Sequence, residues 1–149
     1  MARKDVMSEM EVVVEILGGK RALGAEPRRE SDFIPLVREG VPFHAFQKAS
    51  KSLGLSLADL ERALGLSARS LLRRKHGRLN PVESERFLRL VRIVARAEHV
   101  LGARDAALDW LRTPNPALGG EKPISLLDTE IGADAVNEVL GRIEYTVYG

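Results

Sequence analysis

The sequence predicts an all-α protein, a helical bundle followed by a second, smaller helical module. Three observations carry this. Apolar residues recur at helical spacing in Phe43, Phe46, Ala49 and Leu53, and again in Phe87, Leu90, Val91, Val94, Ala97 and Leu101, so each stretch would bury one stripe of a helix. Capping residues and glycine stops bracket those stretches. The apolar fraction of 44% is drawn largely from Leu, Val and Ala, with only 5% aromatics, a mixture suited to helix packing rather than to a β-sandwich.

Taken in order, residues 1–30 form an N-terminal segment, partly helical or flexible. Val12, Val13, Ile16 and Leu17 mark one face of a short helix ending at Gly18-Gly19, and residues 20–30, charged and containing Pro27, read as a loop or linker. Residues 32–38 read as a short helix stopped by Gly40. Pro42 sits in the first turn of the next helix, Phe43–Leu53, which Gly54 ends. Ser56 caps a helix over Leu57–Leu64 that Gly65 stops, and Ser67 caps another over residues 68–75, followed by Gly77. Asn80-Pro81-Val82-Glu83 combines a capping box with proline at the first helical position. It opens a long helix to Leu101, with Arg86, Arg89, Arg92 and Arg96 mostly opposite the buried stripe.

The style then changes. Residues 103–111 form a short helix with Trp110 and Leu111 on its apolar side, ended by Thr113-Pro114-Asn115-Pro116; Gly119-Gly120 makes a loose turn. Pro123 opens a short helical segment over residues 124–127, and a last helix spans residues 130–144 with Val136, Val139, Leu140 and Ile143 inward. Residues 145–149 are too short for an independent element. The expected organisation is therefore an N-terminal segment (1–30), a helical bundle (31–101) and a C-terminal module (102–149).

Composition narrows the function. There is no cysteine, so disulfides and thiolate chemistry are excluded. No apolar run approaches the roughly 20 residues that span a membrane, and the first residues lack an apolar signal core; a soluble, cytoplasmic protein with no membrane contact is expected. The net charge of +2 hides an asymmetry: residues 1–68 are neutral overall, residues 69–96 carry +7 and residues 97–149 carry −5. A charge run is often only a solvated helix face. A basic middle beside an acidic end also fits two partners, a polyanion in the middle and something else at the end.

Residues 57–75 have the pattern of a helix–turn–helix. Leu60 and Leu64 bury the first helix, Gly65 supplies a left-handed turn, Leu66 plugs the turn, Ser67 caps the second helix and Leu71 anchors it. The N-terminal, outward residues of such a second helix meet base edges in the major groove. Here they are Ala68, Arg69, Ser70 and Arg73, with Arg suited to guanine and Ser to several bases; Arg74, Lys75 and Arg78 are placed for phosphates. The DNA-binding set is thus Ser67, Arg69, Ser70, Arg73, Arg74, Lys75 and Arg78. One position departs from the motif. Four residues before the turn glycine a small residue is usual, and this chain has Glu61, whose unpaired burial would be costly, so it leans outward or the helix crossing adjusts.

Enzymatic readings find no support. His44, His76 and His99 sit in separate segments without ligand spacing, and Gly18-Gly19-Lys20 lacks the glycine spacing and the Ser/Thr of a phosphate loop. No catalytic residue, metal or cofactor is expected.

The C-terminal third carries the most specific pattern. Ala107 to Gly120 (Ala-Leu-Asp-Trp-Leu-Arg-Thr-Pro-Asn-Pro-Ala-Leu-Gly-Gly), then Lys122-Pro123-Ile124-Ser125-Leu126-Leu127-Asp128-Thr129 and Gly141-Arg142-Ile143-Glu144-Tyr145, resemble the toxin-binding domain of the Xre/MbcA/ParS antitoxins, and the likeness extends over residues 33–149. It implies an Xre-like helix–turn–helix bundle followed by a small helical toxin-binding domain. It also implies a cognate RES-domain toxin that attacks NAD, a C-terminus reaching toward the toxin's active site, and autorepression of the operon on operator DNA. Toxin contact is expected at Arg142, Glu144, Tyr145, Tyr148 and Gly149, which cluster at the end of the last helix; two aromatics and a carboxylate suit a nucleotide site. Trp110 and the Pro-Asn-Pro-Ala-Leu-Gly-Gly turn are read as structural. Two half-sites one helical turn apart require two copies, so a homodimer or a higher hetero-oligomer with the toxin is expected. The competing readings are a free-standing regulator whose C-terminal domain only dimerises, and an antitoxin that has lost DNA binding.

Overall fold

A computed structural model describes residues 7–148. Among the described residues nine α-helices follow one another: α1 (Glu9–Ile16), α2 (Gly19–Leu23), α3 (Phe33–Glu39), α4 (Phe43–Leu53), α5 (Leu57–Leu64), α6 (Ala68–Leu72), α7 (Pro81–Leu101), α8 (Arg104–Leu111) and α9 (Glu130–Tyr148). Short 3-10 turns at Glu30–Asp32, Pro116–Leu118 and Pro123–Leu126 join them. Among the described residues no strand forms, as expected of an all-α chain.

The long helix α7 is the axis. Asn80 caps it, its side chain accepting the Glu83 N–H at 2.8 Å while Glu83 accepts the Asn80 N–H. Phe87, Leu90, Val91, Val94 and Ala97 are fully buried, as the spacing predicts. Leu88, Ile93 and Ala95 are buried as well, because helices pack on several sides of α7: α1 and α3, α5, α8 and α9 all lie against it. Phe46 from α4 meets Phe87 edge to face at 4.8 Å, near the centre of one continuous apolar core that takes residues from Val12 to Leu140.

Three expectations are corrected. Residues 20–30 are not simply a linker: α2 forms, and Ala22 and Leu23 are buried against α4. α6 stops at Leu72 rather than at position 75, and the chain continues in tight turns, Lys75 N–H to the Leu72 carbonyl and Gly77 N–H to the Arg74 carbonyl. The last helix does not stop at residue 144. It runs to Tyr148, since nothing between Glu144 and Tyr148 breaks a helix, and Thr146 hydrogen-bonds back to the Arg142 carbonyl. Close passage of α9 under the preceding turn depends on Gly132, where a β-carbon would lie 1.9 Å from the Leu126 carbonyl oxygen.

No helix of the described residues is long and apolar enough to cross a membrane.

Candidate DNA-reading and partner-binding surfaces

The helix–turn–helix forms at the expected residues. Ser56 caps α5 and closes a box with Asp59. Leu60, Ala63 and Leu64 are buried beneath it. Gly65 turns the chain at φ 64°, a left-handed conformation that suits glycine. Ser67 caps α6, its Oγ accepting the Ser70 N–H at 3.1 Å and lying 3.0 Å from Ser70 Oγ. Leu71 anchors the five-residue helix in the core.

Glu61 resolves the sequence anomaly. Its side chain points outward and its Oε2 accepts the Ala68 N–H at 2.8 Å. The carboxylate therefore satisfies an orphan donor of α6 and sits favourably against the helix dipole. Its size is accommodated because it reaches across the turn instead of into the helix crossing.

The structure divides the seven residues expected at DNA. Ser67, Arg69, Arg73 and Lys75 are exposed and Ser70 is half-exposed on the same surface; among the described residues the three cations make no ion pair. Arg74 and Arg78, expected at phosphates, also hydrogen-bond within the chain. Arg74 Nε donates to Glu83 Oε1 at 3.0 Å and Nη2 to Oε2 at 3.4 Å, and that carboxylate is only 3% exposed. Arg78 donates to the Gly40 carbonyl at 2.8 Å. Both tie the turn after α6 to neighbouring segments, Arg74 half-buried and Arg78 on the exposed surface. The arginines of α7 are similarly engaged: Arg86 with the Leu64 carbonyl at 2.9 Å, Arg89 with the Leu127 carbonyl at 3.0 Å, Arg92 with Glu30 and Arg96 with Glu144. Most of the cations of residues 69–96 therefore hydrogen-bond or pair within the chain, and among the described residues of that stretch Arg69, Arg73 and Lys75 are the exposed ones whose side chains make neither contact. Sequence spacing could not reveal these partners, since all but Glu83 lie more than ten positions away.

At the other end, the Pro-Asn-Pro-Ala-Leu-Gly-Gly stretch is a closed turn. Asn115 Oδ1 accepts the Ala117 N–H at 2.9 Å, and Asn115 exchanges backbone bonds with Glu121 and Gly120. Trp110 and Leu118 pack, half-buried, on the core. Along α9, Ala133, Val136, Val139 and Leu140 face inward.

Of the residues expected at the toxin, Arg142 and Tyr145 share the outward side of this helix, Tyr145 being 76% exposed and Arg142 paired loosely with Glu138 at 3.7 Å. Glu144 turns the other way, 3.6 Å from Arg96 and 3.7 Å from His99 Nε2, and holds α9 against α7. Tyr148 closes the helix backbone, while its side chain and Gly149 lie outside the described residues. A shallow groove missed by the sequence reading lies between α9 and the Pro116–Leu118 turn, lined by Ala117, Val139, Ile143, Arg142 and Thr146. Among the described residues no group of His, Asp and Glu is arranged to hold a metal.

Residues 32–92 match the antitoxin Xre-like helix-turn-helix domain, and residues 96–145 match the antitoxin Xre/MbcA/ParS C-terminal toxin-binding domain. The chain is 34% identical to Antitoxin Xre of Yersinia enterocolitica over 131 residues, covering 86% of this chain and 88% of that protein. Antitoxin Xre of Photorhabdus laumondii is also 34% identical, over 75% of this chain and 78% of its own length. A protein of Sphingobium named Prs ADP-ribosylating antitoxin is 29% identical, over 76% and 78% of the respective chains.

Proposed function

Because the chain belongs to the Xre family of antitoxins, with an Xre-like helix–turn–helix and a C-terminal domain that binds a toxin, we propose that its partner is a RES-domain toxin that attacks NAD. We further propose that the complex represses its own operon. The observation that carries the first part is the end of α9: a solvent-facing Tyr145 beside Arg142 and an apolar groove, on a helix continuous to Tyr148. A continuous helix projects these groups as a rigid arm, so less ordering entropy opposes binding than for a loose tail. In this reading the arm delivers Tyr148 and Gly149 toward the toxin's nucleotide site. The name of the Sphingobium relative includes ADP-ribosylation, a transfer for which NAD is the usual donor, and this favours a partner that handles NAD.

The second part rests on the surface of Ser67, Arg69, Ser70, Arg73 and Lys75. Two copies about one helical turn apart would read two half-sites, so a dimer, or several antitoxins per toxin assembly, is the acting unit, in the cytoplasm. Autorepression is tested by an operon-promoter reporter: the wild-type complex should silence it, and substituting Arg69 and Arg73 with alanine should relieve the silencing. Neutralisation is tested by co-expression with the RES-domain toxin proposed as its partner. Growth should be restored by the wild-type chain, and removing residues 145–149 should abolish most of that protection while operator binding persists. Undiminished lethality with the full chain, and no complex on co-purification, would refute the toxin assignment.

A further inference from the structure

Two residues of the toxin-binding domain's own sequence pattern face the helix–turn–helix. Arg112 follows α8 in the Trp-Leu-Arg-Thr-Pro-Asn stretch. Its Nη2 donates to the Gly54 carbonyl at 3.0 Å, at the end of α4, and its Nε lies 3.3 Å from Asp59 Oδ2. Asp59 is the residue that closes the capping box at the start of α5. Arg112 thereby clamps the corner at which the first helix of the motif begins.

Asp128, in Leu-Leu-Asp-Thr, covers the other end of α5. A β-carbon placed on Gly65 would lie 3.2 Å from Asp128 Cβ and 3.4 Å from Arg86 Nη1. That guanidinium donates to the Leu64 carbonyl, an orphan acceptor at the end of α5. Between these two points, Ile124 and Leu127 are fully buried in the Pro123–Leu126 turn region that packs on α5.

The reading helix α6 has only five residues and one buried side chain, Leu71, so its attitude follows α5 through the Gly65 turn. Base readout requires side chains to be held within about 0.5 Å and 10–20° of their working geometry. Phosphate attraction tolerates far more displacement, because it is carried by charge.

We infer that Arg112 and Asp128 are positioning residues for DNA reading: though they lie in the toxin-binding domain, they set α5, and through it the base-reading helix. The inference rests on the proposed DNA-binding role. It goes beyond that role in making operator selectivity depend on the C-terminal domain, independently of any toxin contact.

The experiment compares full-length wild type, R112A, R112K and D128A. The probes are the duplex upstream of the chain's own gene and a random duplex of equal length. In R112A, which loses the charge-assisted hydrogen bond to the Gly54 carbonyl, the upstream duplex should bind about tenfold more weakly, and in D128A, which loses the packing over Gly65, it should weaken in the same direction. Random-duplex affinity, the salt slope and toxin neutralisation should be unchanged, and R112K, which retains the charge in a single ammonium group but not the fork that reaches both partners, should recover part of the preference. Amide exchange across α5 should quicken in the alanine variants. A merely structural role would weaken both duplexes together, through the folded fraction, and would leave their ratio intact. If wild type shows no preference for its upstream duplex, the DNA-binding role itself fails and this inference falls with it. If wild type discriminates and folded R112A and D128A discriminate equally well, the inference alone is overturned. Should R112A not fold, D128A and R112K decide.

Discussion

Replacing Arg74 with alanine tests whether this cation serves DNA or the fold. Its guanidinium spans both oxygens of Glu83, at 3.0 and 3.4 Å, and the carboxylate is 3% exposed. In R74A the buried carboxylate keeps the Asn80 N–H but loses its cation. Breaking a fully buried pair costs about 3–5 kcal/mol. The Arg74 side chain is 37% exposed, so water screens part of that, and about 2 kcal/mol is expected to remain. For a chain of 149 residues, this lowers Tm by about 4–8 °C. The assay is thermal unfolding of R74A, E83A and the double variant, with a coupling energy of about 1–2 kcal/mol from the cycle. Salt-dependent binding to a random duplex completes it, and its slope should stay at the wild-type value. If Arg74 instead served a phosphate, Tm would move by less than about 1 °C and the salt slope would fall by about one. That pair of results would refute the reasoning.

Three further outcomes are expected. Gly65→Ala places a side chain at φ 64° against Asp128 and should destabilise the chain by about 1–2 kcal/mol, read by urea unfolding; an unchanged midpoint would remove the case for the tight turn. Glu61→Gln retains an acceptor for the Ala68 N–H but deletes a negative charge beside the reading surface, so random-duplex affinity at low salt should rise with little change in Tm, whereas weaker binding would mean that the carboxylate contacts DNA. The Asp32 carboxyl is held below the usual carboxylate range by the backbone N–H groups of Arg28 and Arg29, and that of Glu11 by the Ser8 N–H. Their contribution to stability is complete above the ordinary carboxylate pKa and is lost as pH falls through the depressed value, so the urea midpoint should drop on that acid limb; D32N should flatten part of the drop, and an identical limb in D32N would exclude Asp32.

Much of the fold was legible because its signals are local. Capping at Ser56, Ser67 and Asn80, the Gly65 stop and the 3.6-residue period of α4 and α7 act within a few positions, so the bounds of α4, α5 and α7 could be read directly. The end of α6 is not legible in the sequence because Leu72 to Gly77 has no strong helix breaker until the glycine. What ends the helix there is the closure of the following turns and their attachment to Glu83. The extension of α9 is illegible for the opposite reason: five residues are too few for an independent element, but they need only continue one.

The sequence by itself determined the class, the helix–turn–helix and the antitoxin family, because periodicity, capping and the long Trp-Leu-Arg-Thr-Pro-Asn and Leu-Leu-Asp-Thr pattern are properties of neighbouring residues. Only the tertiary structure decided the work of each charge. Arg74, Arg78, Arg86, Arg89 and Arg112 look alike in sequence as solvent-seeking cations. In the fold each meets a carbonyl or carboxylate brought by another segment, while Arg69, Arg73 and Lys75 remain exposed. A charge's partner depends on distance in space, and that is set only when the helices pack.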